Sequence, residues 1–158
     1  MPSVGMVGQN GQEMARAFLG MCQGSASCYC ISEGQRPGSA PNVLVASEAS
    51  PVLSELIPSM RPEDYLVVNA DDKAIFPYLA PGKAKLITYG FNSKACITAS
   101  SITDEGLQVC IQRGFTALDG QMRDPQEFAA PAHAASPETA LGAAAAWAIC
   151  GSGTPHGI

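Results

Sequence analysis

The chain has 158 residues and a formal net charge of −5, with 46% hydrophobic and 15% charged residues. This length and composition predict one folded domain, residues 1–158, that ends in a tail at residues 151–158, and they exclude a disordered chain. The acidic charge disfavours nucleic acid and anionic membranes as partners. No apolar run approaches the roughly 20 residues of a membrane helix, and no secretion signal is visible. We therefore expect a cytoplasmic protein with reduced thiols.

The first half of the chain alternates between apolar strand patterns and helical patterns. The predicted strands are Ser3–Val7, Ser27–Ile31, Asn42–Ala46, Tyr65–Val68 and Lys85–Tyr89, and the predicted helices are Gln12–Met21, Pro51–Ile57 and Asp71–Leu79. Alternation of this kind predicts an α/β fold with a mainly parallel sheet, Rossmann-like or of the phosphate-loop type, flanked by helices.

The pattern changes after the fifth strand. Ala95–Ile102 and Gly106–Phe115 alternate like two antiparallel strands, and Gly114–Pro131 carries turn signals that fit another short hairpin. These segments predict a small antiparallel β appendage. The last predicted element is a helix at Pro137–Ile149 with Ser136 as its N-cap.

Cys28 and Cys30 form the closest pair of cysteines. Alternation along a strand places both thiols on one face, which is typical of a buried apolar face. Tetrahedral zinc sites usually show C-x-x-C spacing with further matched ligands. The pattern therefore favours structural thiols over a metal site.

Residues 4–20 read VGMVGQNGQEMARAFLG, in which an apolar strand runs into spaced glycines and then into a helical pattern. One interpretation is a small NAD(P)-binding protein, because Glu33 follows at about the distance of a ribose-binding acid. The G-x-G-x-x-G fingerprint is incomplete, since Asn10 and Glu13 stand where glycines are required. A side chain at the second glycine position would crowd the pyrophosphate.

A second interpretation depends on several motifs in one order along the chain. They are GMVGQNGQE at residues 5–13, LVASEAS at 44–50, VVNADD at 67–72, LITYGF at 86–91 and ETALGAAA at 138–145. These resemble G-x-x-G-T-N-G-K-S/T, an E-x-S strand end, N-x-D-D, I-T-Y/F-G and the H-N-x-x-N-A-x-A-A helix of the Mur ligase central ATPase domain. That family builds the peptide of bacterial cell-wall precursors. The resemblance covers nearly the whole chain and implies ATP or ADP with Mg²⁺ as cofactors.

The resemblance also implies a site. Its cofactor-binding residues would be Gly8, Asn10, Gly11, Gln12, Glu13 and Thr139, and its metal ligand would be Glu48. Gln12 replaces the lysine that binds phosphate, and Glu13 replaces the hydroxyl residue that holds Mg²⁺. A carboxylate that faces phosphates a few ångströms away costs about 3–4 kcal/mol at an effective dielectric near 20. Thr139 stands where the family has an adenine-contacting asparagine.

Other parts of the family apparatus are missing. The interval between residues 50 and 68 is too short for the family's metal motif and modified lysine, and we expect both flanking domains of the family to be absent. We therefore expect no catalytic residue and a vestigial, non-catalytic Mur-ligase-like domain. Its expected role is a binding or regulatory module, linked by analogy to cell-envelope metabolism. The alternative is an ATP-dependent amide ligase subunit completed by a partner chain. An unknown protein partner or a homo-oligomer is also expected, because such a domain exposes former interdomain surface.

Overall fold

The computed structural model describes residues 2–32, 40–131 and 136–150, with only the backbone of Pro131. Glu33 and the tail at residues 151–158 lie outside these described residues. The strands are β1 Ser3–Val7, β2 Ser27–Ile31, β3 Val43–Ala46, β4 Tyr65–Asn69, β5 Lys85–Tyr89, β6 Ile97–Thr103, β7 Gly106–Ile111, β8 Phe115–Thr116, β9 Met122–Arg123 and β10 Gln126–Pro131. The helices are α1 Gly11–Cys22, α2 Leu53–Ser59 and α3 Pro137–Cys150, with a 3₁₀ helix at Lys73–Tyr78.

An eight-stranded sheet with the order β10-β7-β6-β5-β4-β3-β1-β2 organises the molecule. Neighbours from β2 to β6 are parallel, whereas β6, β7 and β10 pair antiparallel. Strands β8 and β9 form a separate two-stranded antiparallel sheet. The predicted α/β class, Rossmann-like and mainly parallel, is confirmed. The antiparallel strands β6 and β7 extend the main sheet, and the separate appendage is the β8–β9 hairpin.

Two apolar layers cover the parallel part of the sheet. Helices α1 and α3 pack on one face, and α2 with the 3₁₀ helix packs on the other. Strand β3 is fully buried along its length because it lies between both layers. Helix α3 is buried from Thr139 to Ile149, as expected for a helix that is apolar all round. Its small side chains allow close packing, since a Cβ on Gly142 would lie 2.5 Å from Met14 Cε.

Two sequence predictions need correction. The segment predicted as a helix at Asp71–Leu79 is a 3₁₀ helix that contains Pro77, which has no N–H to donate. Its N-cap is Asp72, whose Oδ1 accepts a hydrogen bond from Ala74 N at 3.1 Å. The region from 114 to 131 contains the predicted short hairpin and also β10, which the turn signals concealed.

The predicted cap of α3 is confirmed. Thr139 N donates to Ser136 Oγ at 3.3 Å, and Ala140 N donates to Ser136 O at 2.9 Å. In the described part of the chain, every helix is too short or too polar to cross a membrane.

Candidate functional site

The candidate site lies where the strand order reverses. Strand β1 has β2 on one side and β3 on the other, so the chain leaves β1 and β3 in opposite directions. In open α/β sheets this arrangement forms a crevice beyond the carboxyl ends of the two strands. A cavity of about 490 Å³ occupies that crevice. Its lining residues are Gly8, Gln9, Gln12, Cys30, Ile31, Ser32, Glu48, Ala49, Ser50 and Pro51.

The turn after β1 depends on Gly8. Its φ is +136°, in a region that residues with a side chain rarely adopt. A Cβ at this position would also collide with the Ser47 hydroxyl, which follows β3. Gly11 N closes the turn by donating to Gly8 O at 3.1 Å, and α1 begins there. The backbone after β1 therefore packs directly against the backbone after β3.

Asn10 connects this turn to α3. Its Oδ1 accepts from Ser47 Oγ at 2.6 Å, and its Nδ2 donates to Thr139 Oγ1 at 2.9 Å. Ser136 Oγ donates to the same Thr139 oxygen at 2.9 Å. Thr139 is completely buried. The structure thus brings two of the predicted cofactor-binding residues together, but their side chains hold the turn against α3 and do not line the cavity.

Gln12 and Glu13, the two departures from the phosphate-loop pattern, point to different places. Gln12 is exposed and lines the cavity. Glu13 Oε1 accepts from Ser136 N at 3.3 Å, beside the N-terminus of α3, where a helix dipole favours negative charge. In the structure the Glu13 side chain is therefore turned towards α3.

Glu48 follows β3 and reaches across the crevice. Its Oε1 accepts a hydrogen bond from Gln9 N at 2.7 Å, a distance typical of a charge-assisted bond. Backbone N–H groups in this position are the donors with which a phosphate loop binds its anion. The Gln9 amide is therefore already hydrogen-bonded to a carboxylate of the chain itself.

Few candidate metal ligands surround Glu48 among the described residues. Across residues 2–32, 40–131 and 136–150, no group of three or more His, Cys, Asp or Glu side chains is placed to hold a metal ion. Hard cations such as Mg²⁺ need several oxygen ligands, and a single carboxylate bound to a backbone amide supplies few of them. The predicted role of Glu48 as a metal ligand has no companion residues in this part of the chain.

The N-A-D-D segment after β4 braces the backbone on which Glu48 stands. Asn69 Nδ2 donates to Ser47 O at 3.1 Å, and Asp72 Oδ2 accepts from Ala49 N at 3.0 Å. These contacts fix the chain on both sides of Glu48.

Asp71 also braces a loop by hydrogen bonds, in this case the loop after β5, the next strand of the sheet. Its carboxylate accepts from Phe91 N at 2.7 Å and from Asn92 Nδ2 at 2.6 Å, in the loop after β5. Partial burial acts to raise the pKa of Asp71, but these hydrogen bonds outweigh it and hold the pKa below its ordinary value. The side chain is an anchor for the loop after β5.

Cys28 and Cys30 lie on one face of β2, packed against the α1 side of the sheet, as the alternation predicts. Burial, reinforced by the nearby Cys30 and Cys22 thiols, raises the pKa of Cys28 to about 12. Thiols of this kind are poor nucleophiles near neutral pH. Cys30 is also part of the cavity wall, which its strand pattern did not indicate.

Sequence reasoning missed the cavity contributions of Gln9, Ser50 and Pro51. Their position in the sequence could have predicted this role, because each lies just after the carboxyl end of β1 or β3. Ligand sites of open parallel sheets gather at those ends.

Comparison of the chain with protein-family models finds no matching family, and comparison with curated proteins finds no significant relative.

Proposed function

We propose that this protein is a non-catalytic binding or regulatory module, a vestigial Mur-ligase-like domain whose phosphate loop is disarmed. The observation that carries the proposal is the hydrogen bond from Gln9 N to Glu48 Oε1 at 2.7 Å. It sets a negative charge on the loop amide at the place where the resemblance puts a phosphate. Gln12, in the position of the family's lysine, supplies no compensating positive charge.

The arrangement of the motif segments supports the Mur-ligase-like part of the proposal. The loop at residues 8–13, the strand end at 47–50 and the N-A-D-D segment at 69–72 all lie at the same edge of the sheet. Hydrogen bonds join them to one another and to the start of α3. The convergence of these segments, which are distant in sequence, agrees with the placement that the resemblance implies.

The charge of the cavity wall supports the non-catalytic part of the proposal. Phosphoryl transfer needs positive groups or metal ions that neutralise the developing charge. The described residues that line the cavity include a carboxylate and no lysine, arginine or histidine. The alternative, a ligase subunit completed by a partner chain, requires positive charge from outside these described lining residues.

The test is calorimetric titration with ATP, ADP and NAD, each with and without Mg²⁺. We expect no heat of binding from the native protein. Gln12→Lys should gain weak ATP binding, and Gln12→Lys combined with Glu48→Gln should bind more tightly, because the second change removes the negative charge beside the loop amide. Glu127→Gln combined with Gln12→Lys is the matched control, since Glu127 is exposed on β10 at the far edge of the sheet.

Micromolar ATP binding or ATP hydrolysis by the native protein would overturn the proposal. If that binding required Mg²⁺ and Glu48, the partner-completed ligase would replace it. NAD binding by the native protein would instead favour the small dinucleotide-binding interpretation, in which Glu33 contacts the ribose.

The proposal includes a cytoplasmic location and association with a partner protein or a second copy. All six cysteines are free thiols, as expected in a reducing compartment. Phe76 and Leu86 expose 44% and 48% of their surfaces. Light scattering at several protein concentrations tests self-association, and a monomer at all concentrations would leave a different protein as the partner.

A further inference from the structure

The wall of the cavity beyond the ends of β1 and β3 carries a negative charge, which does not suit a phosphate. Among the described residues of its wall, Glu48 is the charged one, and the wall also contains the polar Gln12 and Ser50 and the apolar Ile31 and Pro51. A volume of about 490 Å³ lies within the range of roughly 300–1,000 Å³ typical of small-molecule sites. The cavity therefore combines room for a small molecule with one negative anchor.

Glu48 has acceptor capacity left. Its Oε1 receives Gln9 N, whereas its Oε2 has no hydrogen-bond or ion-pair partner in the part of the chain that the structure describes. An ionised carboxylate offers about four lone-pair sites. The bond to Gln9 N restrains the side chain, and Glu48 is one of the residues that line the cavity.

We propose that this cavity binds a nucleoside-sized ligand that carries a protonated amine, with the Glu48 carboxylate as its partner. This inference rests on the proposed function, because it takes the disarmed loop as its starting point. The ammonium group donates to Glu48 Oε2, and the ring system packs on Ile31 and Pro51. A phosphate in the same place meets the carboxylate and finds the Gln9 N–H already taken.

The test uses three probes that share one body and differ in charge at a single position. They are 5′-amino-5′-deoxyadenosine, adenosine and adenosine 5′-monophosphate. We expect the amino compound to bind the native protein roughly tenfold or more tightly than adenosine, as a charged hydrogen bond would provide, and the monophosphate to bind most weakly. Calorimetry or ligand-observed NMR measures the three dissociation constants.

Glu48→Gln keeps an oxygen for Gln9 N and removes the charge. We expect this variant to lose the preference for the amino compound and to bind adenosine as the native protein does. Glu127→Gln, the change at the opposite sheet edge, should leave the order of the three probes unaltered. Circular dichroism checks that both variants are folded.

Three results would overturn the inference: the monophosphate binding at least as well as the amino compound, an unchanged preference in Glu48→Gln, or no binding of the amino compound at millimolar concentration. The proposed function survives each of them as long as ATP is neither bound at micromolar concentration nor hydrolysed. Conversely, ATP hydrolysis by the native protein would end the proposed function whatever the order of the three probes.

Discussion

The segments after the neighbouring strands β3 and β4 both carry carboxylates, but they use them differently. After β4, Asp71 and Asp72 each accept hydrogen bonds on both carboxylate oxygens, from backbone amides and one side-chain amide. After β3, Glu48 accepts on one oxygen from the described part of the chain, and its side chain lines a cavity. The number of N–H donors within reach therefore separates a carboxylate that braces loops from one that can meet a ligand.

The largest expected effect on stability comes from a substitution in the turn after β1, whose Gln9 N–H binds Glu48. Gly8→Ala should lower the free energy of unfolding by roughly 2–4 kcal/mol, because the new Cβ adds an unfavourable backbone conformation to a collision with the Ser47 hydroxyl. Gly24→Ala is the matched control. Gly24 also has a positive φ of 85°, but open space surrounds it, so the expected loss is about 1 kcal/mol. Urea unfolding measures both, and equal losses would contradict the steric role of Ser47.

An isosteric pair of substitutions tests the comparison directly. Asp72→Asn should cost about 1–2 kcal/mol, because the amide cannot accept from both Ala49 N and Ala74 N. Glu48→Gln should change stability by less than about 0.5 kcal/mol, since its remaining oxygen still accepts from the exposed Gln9 N. Denaturant midpoints measured side by side provide the test. A larger loss in Glu48→Gln than in Asp72→Asn would reverse our assignment of the two carboxylates.

The smallest expected effect is the pH dependence contributed by Asp71. Its pKa is lower in the folded protein than the ordinary 3.8, because the loop after β5 donates to the ionised form. The folded state therefore gains stability from Asp71 above the unfolded pKa and loses it as the pH falls through the folded pKa. In Asp71→Asn, the acid limb of the stability profile should be shallower than in the native protein.

Asp104→Asn serves as the control for this profile. Asp104 is exposed in the turn between β6 and β7, away from the loop after β5. Thermal unfolding followed between pH 2 and 7 should show the native acid limb in this variant. The same flattening in both variants would mean that the loss at low pH does not come from Asp71 in particular.

The local sequence pattern was sufficient to predict most strands of the parallel sheet. Strands β1, β2 and β5 have the predicted bounds, because short apolar runs between turn residues specify both the element and its ends. Strand β10 was missed because QEFAAP has no strong strand pattern of its own. It becomes a strand by pairing with β7, from Gln126 opposite Ile111 to Pro131 opposite Gly106. Its conformation depends on a neighbour and not on its own propensity.

For the candidate site, the sequence by itself determined the α/β alternation, the glycine turn after β1 and the absence of a loop lysine at Gln12. Each of these follows from residue type and local spacing. Only the tertiary structure decided where the carboxylates go. Glu48 meets an amide 39 positions away, and Glu13 meets one 123 positions away. The physical reason is that a carboxylate takes whichever donors the packed strands and helices bring within about 3 Å of it, and those donors come from distant parts of the chain.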